Sequence, residues 1–200
     1  MTRFALAALA LCLAATSHAQ TANPKVTLKT NQGDIVIELD AAKAPKSVDN
    51  FTQYVKSGFY DGTIFHRVID NFMIQGGGYG TELSAKGGLR APVTNEADNG
   101  LSNARGTVAM ARTGDPHSAT AQFFINVNNN AALDHVSKAD GRTWGYAVFG
   151  KVVSGMDVVD KIKVLPTNAF SAEFQNLPRP YVVIEKATLD EAVVADKPGQ

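Results

Sequence analysis

The chain reads as a mainly β fold carrying two short helices, and three observations point there. About eight segments of strand length are apolar or alternate in polarity, long Gly- and Asn-rich connections separate them, and only two windows show a helical period. A sheet of that many strands closes into a barrel or folds into a sandwich, since either removes exposed edges. Periodicity does not choose between the two.

The elements follow in order. Residues 26–30, the turn Asn31-Gln32-Gly33 and residues 34–39 form a β-hairpin. Residues 45–57 form a helix, with Pro45 in its first turn, Gly58 as a left-handed residue after it, and Val48, Phe51, Thr52 and Val55 as its inner stripe. Strands are predicted at 63–69, 73–76, 107–111, 122–127, 146–152 and 181–189. A second helix spans 155–163, with Ser154 as its N-cap and Met156, Val159 and Ile162 facing inward.

The N-terminus has the pattern of a cleavable export signal. Arg3 precedes an apolar run from Phe4 to Ala15, and Ser17-His18-Ala19 has the small-x-small form of a cleavage site. The run is far short of the ~20 residues that span a bilayer. The expected organisation is a signal over 1–19 and one domain over 20–200. Cys12, the only cysteine, leaves with the signal, so the mature protein has no disulfide to form. The chain holds 19 basic and 19 acidic residues, and losing Arg3 leaves 18 of the former. Near-neutral charge without a basic block argues against nucleic acid or a membrane surface as a main partner.

Residues 65–78, FHRVIDNFMIQGGG, are the densest unusual stretch. Strand alternation puts Phe65, Arg67 and Ile69 on one face and His66 and Val68 on the other. Beyond the Asp70-Asn71 turn, Met73 and Gln75 share a face and Ile74 takes the opposite one. A guanidinium among apolar side chains is either a structural arginine with a carboxylate partner or a working group, because burying it alone is costly. In residues 122–127, QFFINV, the alternation separates Gln122, Phe124 and Asn126 from an apolar set of Phe123, Ile125 and Val127. The first set suits a groove wall or a half-buried strand equally.

FHRVIDNFMIQGG, GTVAMAR (106–112), AQFFINV (121–127) and YAVFGKV (146–152) stand in an order and spacing that resemble the cyclophilin family of peptidyl-prolyl isomerases. The resemblance runs from about Val26 to about Leu189, and the signal and short loops make it similar to the bacterial exported branch. It implies a closed eight-stranded antiparallel β-barrel capped by two α-helices. It implies that Arg67 is the catalytic arginine, and that Gln75 hydrogen-bonds the substrate backbone. Phe72, Met73, Phe124 and Leu133 would receive the proline ring, with Ala111, Arg112, Gln122 and Tyr146 completing the substrate site. His66 is read as structural. Tyr146 stands where many members have His. Ala132 stands where well-known eukaryotic members have Trp, so weak cyclosporin binding is expected. Trp144 does not align with that Trp and is read as loop packing.

Such an enzyme needs no cofactor and no metal. Its partners would be proline-containing unfolded or flexible polypeptides, met by a monomer in the periplasm, or in the medium if the cell has no outer membrane. A proline-holding chaperone without turnover is the alternative, which the paired Arg67 and Gln75 disfavour. A hydrolase is excluded by the lack of Gly-x-Ser-x-Gly and His-Glu-x-x-His motifs. A dinucleotide site is excluded by the spacing of Gly76, Gly77, Gly78 and Gly80.

Overall fold

Eight strands of alternating polarity resolve into a closed barrel in the computed structural model, which describes residues 23–190. The expected signal, its cleavage after Ala19 and Cys12 lie outside the described residues. The elements are β1 (Lys25–Thr30), β2 (Gly33–Leu39), α1 (Pro45–Lys56), β3 (Thr63–Ile69), β4 (Met73–Gly80), β5 (Thr107–Met110), β6 (Phe123–Asn126), β7 (Val148–Ser154), α2 (Met156–Lys163), β8 (Thr167–Asn168), β9 (Leu177–Pro178) and β10 (Val183–Asp190). The barrel runs β1-β10-β3-β4-β6-β5-β7-β2, every neighbour antiparallel, while β8 and β9 form a separate two-stranded sheet. Closure rather than a sandwich leaves none of these eight strands with an open edge.

The helices plug opposite ends. On α1, Phe51 sets its ring 5.1 Å from Phe149, 5.1 Å from Tyr60 and 5.3 Å from Phe123, near where β3 and β6 begin. At the other end α2 buries Val158, Val159 and Ile162, with Val158 against Gly33 in the β1–β2 turn. Met156 is only partly buried but packs against the core as expected, and Val158 joins the buried face as well. The N-cap of α2 is Gly155 (φ +85°), not Ser154, which is spent as the last residue of β7 opposite Val36. A Cβ at Gly155 would lie 2.1 Å from the Asp34 carbonyl, so only glycine lets α2 seat on the hairpin.

Two expectations about strands are corrected. β4 runs on to Gly80, with crowding selecting Gly76 and Gly78 and a left-handed φ of +82° as well as crowding selecting Gly77. A Cβ at Gly76 would meet Phe65 at 3.0 Å, and one at Gly78 would meet Gln122 at 2.6 Å. In β3, Phe65 pairs with Gly76 and Arg67 with Gln75, leaving His66 as the extra residue of a β-bulge. The bulge reverses the alternation. Phe65 and Val68 enter the barrel core, while Arg67 and Ile69 face outward, so Phe65 does not share their face and Val68 does not share that of His66.

Candidate active site

The outer face of β3, β4, β6 and β5 carries a small apolar cluster apart from the barrel core. Met73 and Phe124, 2% and 4% exposed, form its floor with Ala109 and Val148. Ile69, Phe72, Ala111, Leu133 and Tyr146 pack around them. Above lies a cavity of ≈ 110 Å³ lined by Arg67, Phe72, Met73, Gln75, Ala111, Arg112, Phe124, Leu133 and Tyr146. That is smaller than the roughly 300–1,000 Å³ of ordinary small-molecule sites and suits one side chain. Nine of the ten residues predicted from sequence thus come together. Gln122 stands one hydrogen bond behind, accepting from Gln75 Nε2 at 2.9 Å.

An asparagine network fixes three of the walls. Asn126, fully buried on β6, donates to Asn103 Oδ1 at 3.2 Å and Thr107 Oγ1 at 2.9 Å, and accepts from Asn130 at 2.7 Å. Asn103 Nδ2 donates to the Leu133 and Tyr146 carbonyls at 3.1 and 3.3 Å, and Asn130 Nδ2 to the Phe72 carbonyl at 2.8 Å. An amide both donates and accepts, so it can hold non-repeating backbone that no ladder satisfies. Sequence alternation pointed to Asn126 but gave no sign of Asn103 or Asn130.

The site's two arginines differ. Arg112 gives its donors to the Gly145, Thr113 and Gly141 carbonyls at 3.1, 2.9 and 2.7 Å. Its guanidinium also lies 4.5 Å from the Tyr146 ring centroid. It therefore serves the cavity as a stacked wall and staples the 141–145 loop. Among the described residues Arg67 donates only to Gln75 Oε1, at a long 3.4 Å, with its guanidinium 5.9 Å from the Phe72 ring centroid. Among the described residues no carboxylate lies within ion-pair distance of Arg67. The reading of a structural arginine with a carboxylate partner therefore finds no support, and the side chain lines the cavity.

The histidines do not converge. His66 is buried against Tyr79, centroids 4.7 Å apart, behind the site. Burial pushes it from 6.5 down to about 4, so it is neutral. His117 and His135 flank Trp144, with centroids at 4.9 and 5.6 Å, in a loop-packing cluster. Ala132 is exposed beside Leu133.

Fold and site together define a closed β-barrel protein with an external, largely apolar cavity beside an arginine that has no counter-ion among the described residues. Residues 25–189 match the family model described as cyclophilin type peptidyl-prolyl cis-trans isomerase/CLD, and the chain belongs to that family. It is 60% identical over 164 residues to peptidyl-prolyl cis-trans isomerase cyp18 of Streptomyces antibioticus, which covers 82% of this chain and 97% of the relative. It is 50% identical over 193 residues to peptidyl-prolyl cis-trans isomerase A of Dickeya dadantii strain 3937, covering 94% and 98%. A crystal structure of a Cryptosporidium parvum cyclophilin type peptidyl-prolyl cis-trans isomerase in the presence of the dipeptide Ala-Pro superposes with a TM-score of 0.67. Its identity is 26%, over 83% of this chain and 98% of that one.

Proposed function

We propose that this peptidyl-prolyl cis–trans isomerase turns X-Pro bonds of exported polypeptides, with Arg67 as its catalytic group and the Met73–Phe124 slot as the seat of the proline ring. The observation that carries the reading is a guanidinium free of carboxylates at the mouth of a ring-sized apolar cavity.

The chemistry follows from the bond. Amide resonance sets a rotation barrier of ~18–20 kcal/mol. At the twisted summit resonance is lost and the prolyl nitrogen regains a basic lone pair. A fixed donor aimed there binds the twisted form better than the planar one, which is what catalysis requires. Arg67 brings the cationic guanidinium and rigid donors of an arginine. A charge-assisted hydrogen bond contributes about 1.5–3 kcal/mol, or one to two decades of rate. The remainder comes from holding the ring while the acyl side turns, in a site that excludes water. The twisted amide is less dipolar than the planar one, so the apolar floor also favours it. A chaperone that only held proline would need the floor and not the cation.

The N-terminal pattern supports export, and the small cavity beside an open surface suits a flexible chain rather than a folded partner. The test uses the full chain expressed in a cell with an export pathway. The protein should appear in the exported fraction with a mass beginning at Gln20, and should accelerate proline-limited refolding. Arg67→Ala should appear in the same fraction with unchanged circular dichroism and a rate constant lower by about tenfold to a hundredfold. An active Arg67→Ala protein removes Arg67 from the mechanism. Retention of the leader in the cytoplasm removes the export reading.

A further inference from the structure

A second cavity adjoins the slot. It encloses ≈ 590 Å³ and shares Arg112 and Tyr146 with the slot as a common wall. Residues 112–114 form one of its sides and residues 140–142 the other. The two sides meet closely. A Cβ at Gly141 would lie 2.3 Å from the Gly114 carbonyl oxygen, so only glycine lets them approach there. Arg112 ties them together, donating to the Thr113 and Gly141 carbonyls at 2.9 and 2.7 Å. The cavity is therefore built by bonded loops, with room for a long side chain and part of the backbone that carries it.

The charge around this cavity is unbalanced. Among the described residues Arg112 gives its donors to backbone carbonyls alone, and the exposed Arg142 guanidinium has no hydrogen bond or ion pair. The carboxylates of these loops are spent on backbone N–H groups. Asp140 accepts from Arg142 and Thr143 at 2.8 and 3.0 Å, Asp115 from His117 at 2.9 Å, and Asp134 from Asn103 at 2.6 Å. Lys138 on the same loop pairs with Asp98 at 2.6 Å. Two guanidinium groups thus line the cavity against the single carboxylate of Asp140.

We infer that this cavity is a subsite for an acidic side chain flanking the substrate proline, and that Arg142 selects it. An extended chain advances about 3.3–3.6 Å per residue, so a chain whose proline fills the slot crosses the Arg112–Tyr146 wall within about one or two residues. There Arg142 offers a planar fork of donors that matches a carboxylate. Arg112 adds its charge while keeping the carbonyls it staples. Asp140 opposes with one charge, which moderates the preference and leaves it positive. The inference rests on the seat of the proline ring proposed above.

The test measures kcat/KM for X-Pro rotation in short peptides carrying Glu or its isostere Gln, placed in turn at each of the two positions before and after the proline. The ratio of the Glu peptide to the Gln peptide is compared in wild type, Arg142→Gln, Arg142→Glu and Asp140→Asn. In wild type the ratio should reach about twofold to fivefold at one position, as expected for an exposed ion pair, and should shrink at about 1 M salt. It should fall to about one in Arg142→Gln and below one in Arg142→Glu. It should rise above the wild-type value in Asp140→Asn, whose amide oxygen still accepts the Arg142 and Thr143 N–H groups. A loop that merely packs would not shift the ratio in opposite directions. A wild-type ratio of one at every position, or a preference that Arg142→Gln leaves intact, overturns the inference, and Arg142→Gln decides if Arg142→Glu disturbs the loop. If turnover depends on Arg67 but the ratio is one throughout, only this inference fails. If Arg67→Ala matches wild type, the reading of the site fails first.

Discussion

His66 shows how one residue couples a bulge to pH. It is 4% exposed, and its Nδ1 finds no hydrogen-bond partner among the described residues. A neutral imidazole tolerates that place and an imidazolium does not, which is why burial depresses it to about 4. Below pH 6.5 the unfolded chain takes up a proton that the folded protein refuses until about pH 4. Stability attributable to His66 is therefore intact above about pH 6.5 and drains as pH falls through that window. The loss approaches roughly 3 kcal/mol at about 1.4 kcal/mol per pH unit. Asp70, Asp98 and Asp140 sit below the usual carboxylate range because of Lys163, Lys138 and the Thr143 backbone N–H respectively, so their contributions fade only at lower pH. Urea unfolding at pH 7.5 and pH 4.5 should show a smaller stability difference in His66→Phe than in wild type. Equal differences in the two proteins would mean that His66 titrates normally when folded.

At the scale of elements, α1 shows what the sequence hides. Pro45 and the left-handed Gly58 (φ +67°) mark its ends legibly. Its N-terminus, however, has no local cap: Ala44 offers no side-chain acceptor. Glu96, some 50 residues away, accepts instead from the Lys46 and Ser47 N–H groups at 3.0 and 2.8 Å and from Ser47 Oγ at 2.8 Å. A remote carboxylate on orphan N–H groups satisfies them and complements the helix dipole. Glu96→Ala should lower stability by about 1–3 kcal/mol, read as a denaturation midpoint shift at unchanged m-value. A shift within error would mean that water replaces the carboxylate at no cost. The same limit explains the other gaps. Strand alternation in 122–127 was legible because both faces obey it. In β3 it was not, because a bulge depends on pairing with β4, which no local pattern encodes. Residues 77–80 read as a break because strand propensity counts glycine against a strand, whereas here Gln122 leaves room only for glycine at Gly78, and Tyr60 and Phe123 crowd Gly77. Residues 167–168 and 177–178 are too short to signal strands at all. The grouping of the slot residues was legible because the four motifs resemble a family.

Over the whole molecule, the barrel core and the proposed substrate slot occupy different hydrophobic clusters. The barrel core joins residues of all eight barrel strands to Phe51 and Tyr54 of α1 and to Val158, Val159 and Ile162 of α2. The slot belongs to a second cluster on the outer face, whose rim residues Phe72, Leu133 and Tyr146 are only partly buried. A protein with a net stability of about 5–15 kcal/mol cannot spare a large core side chain, but it can spare a rim. Phe149, fully buried and packed on Phe51, should cost about 3–5 kcal/mol as Phe149→Ala, a fall of roughly 10 °C in Tm. Phe72→Ala should cost about 1 kcal/mol, a few degrees, yet lower kcat/KM by about tenfold, because it strips one wall from the proposed seat of the proline ring and the ring that Arg67 lies over. Thermal unfolding and refolding assays on the two variants separate these effects. Equal losses of Tm in both would show that the slot is part of the folding core, and the division between scaffold and site would then have to be given up.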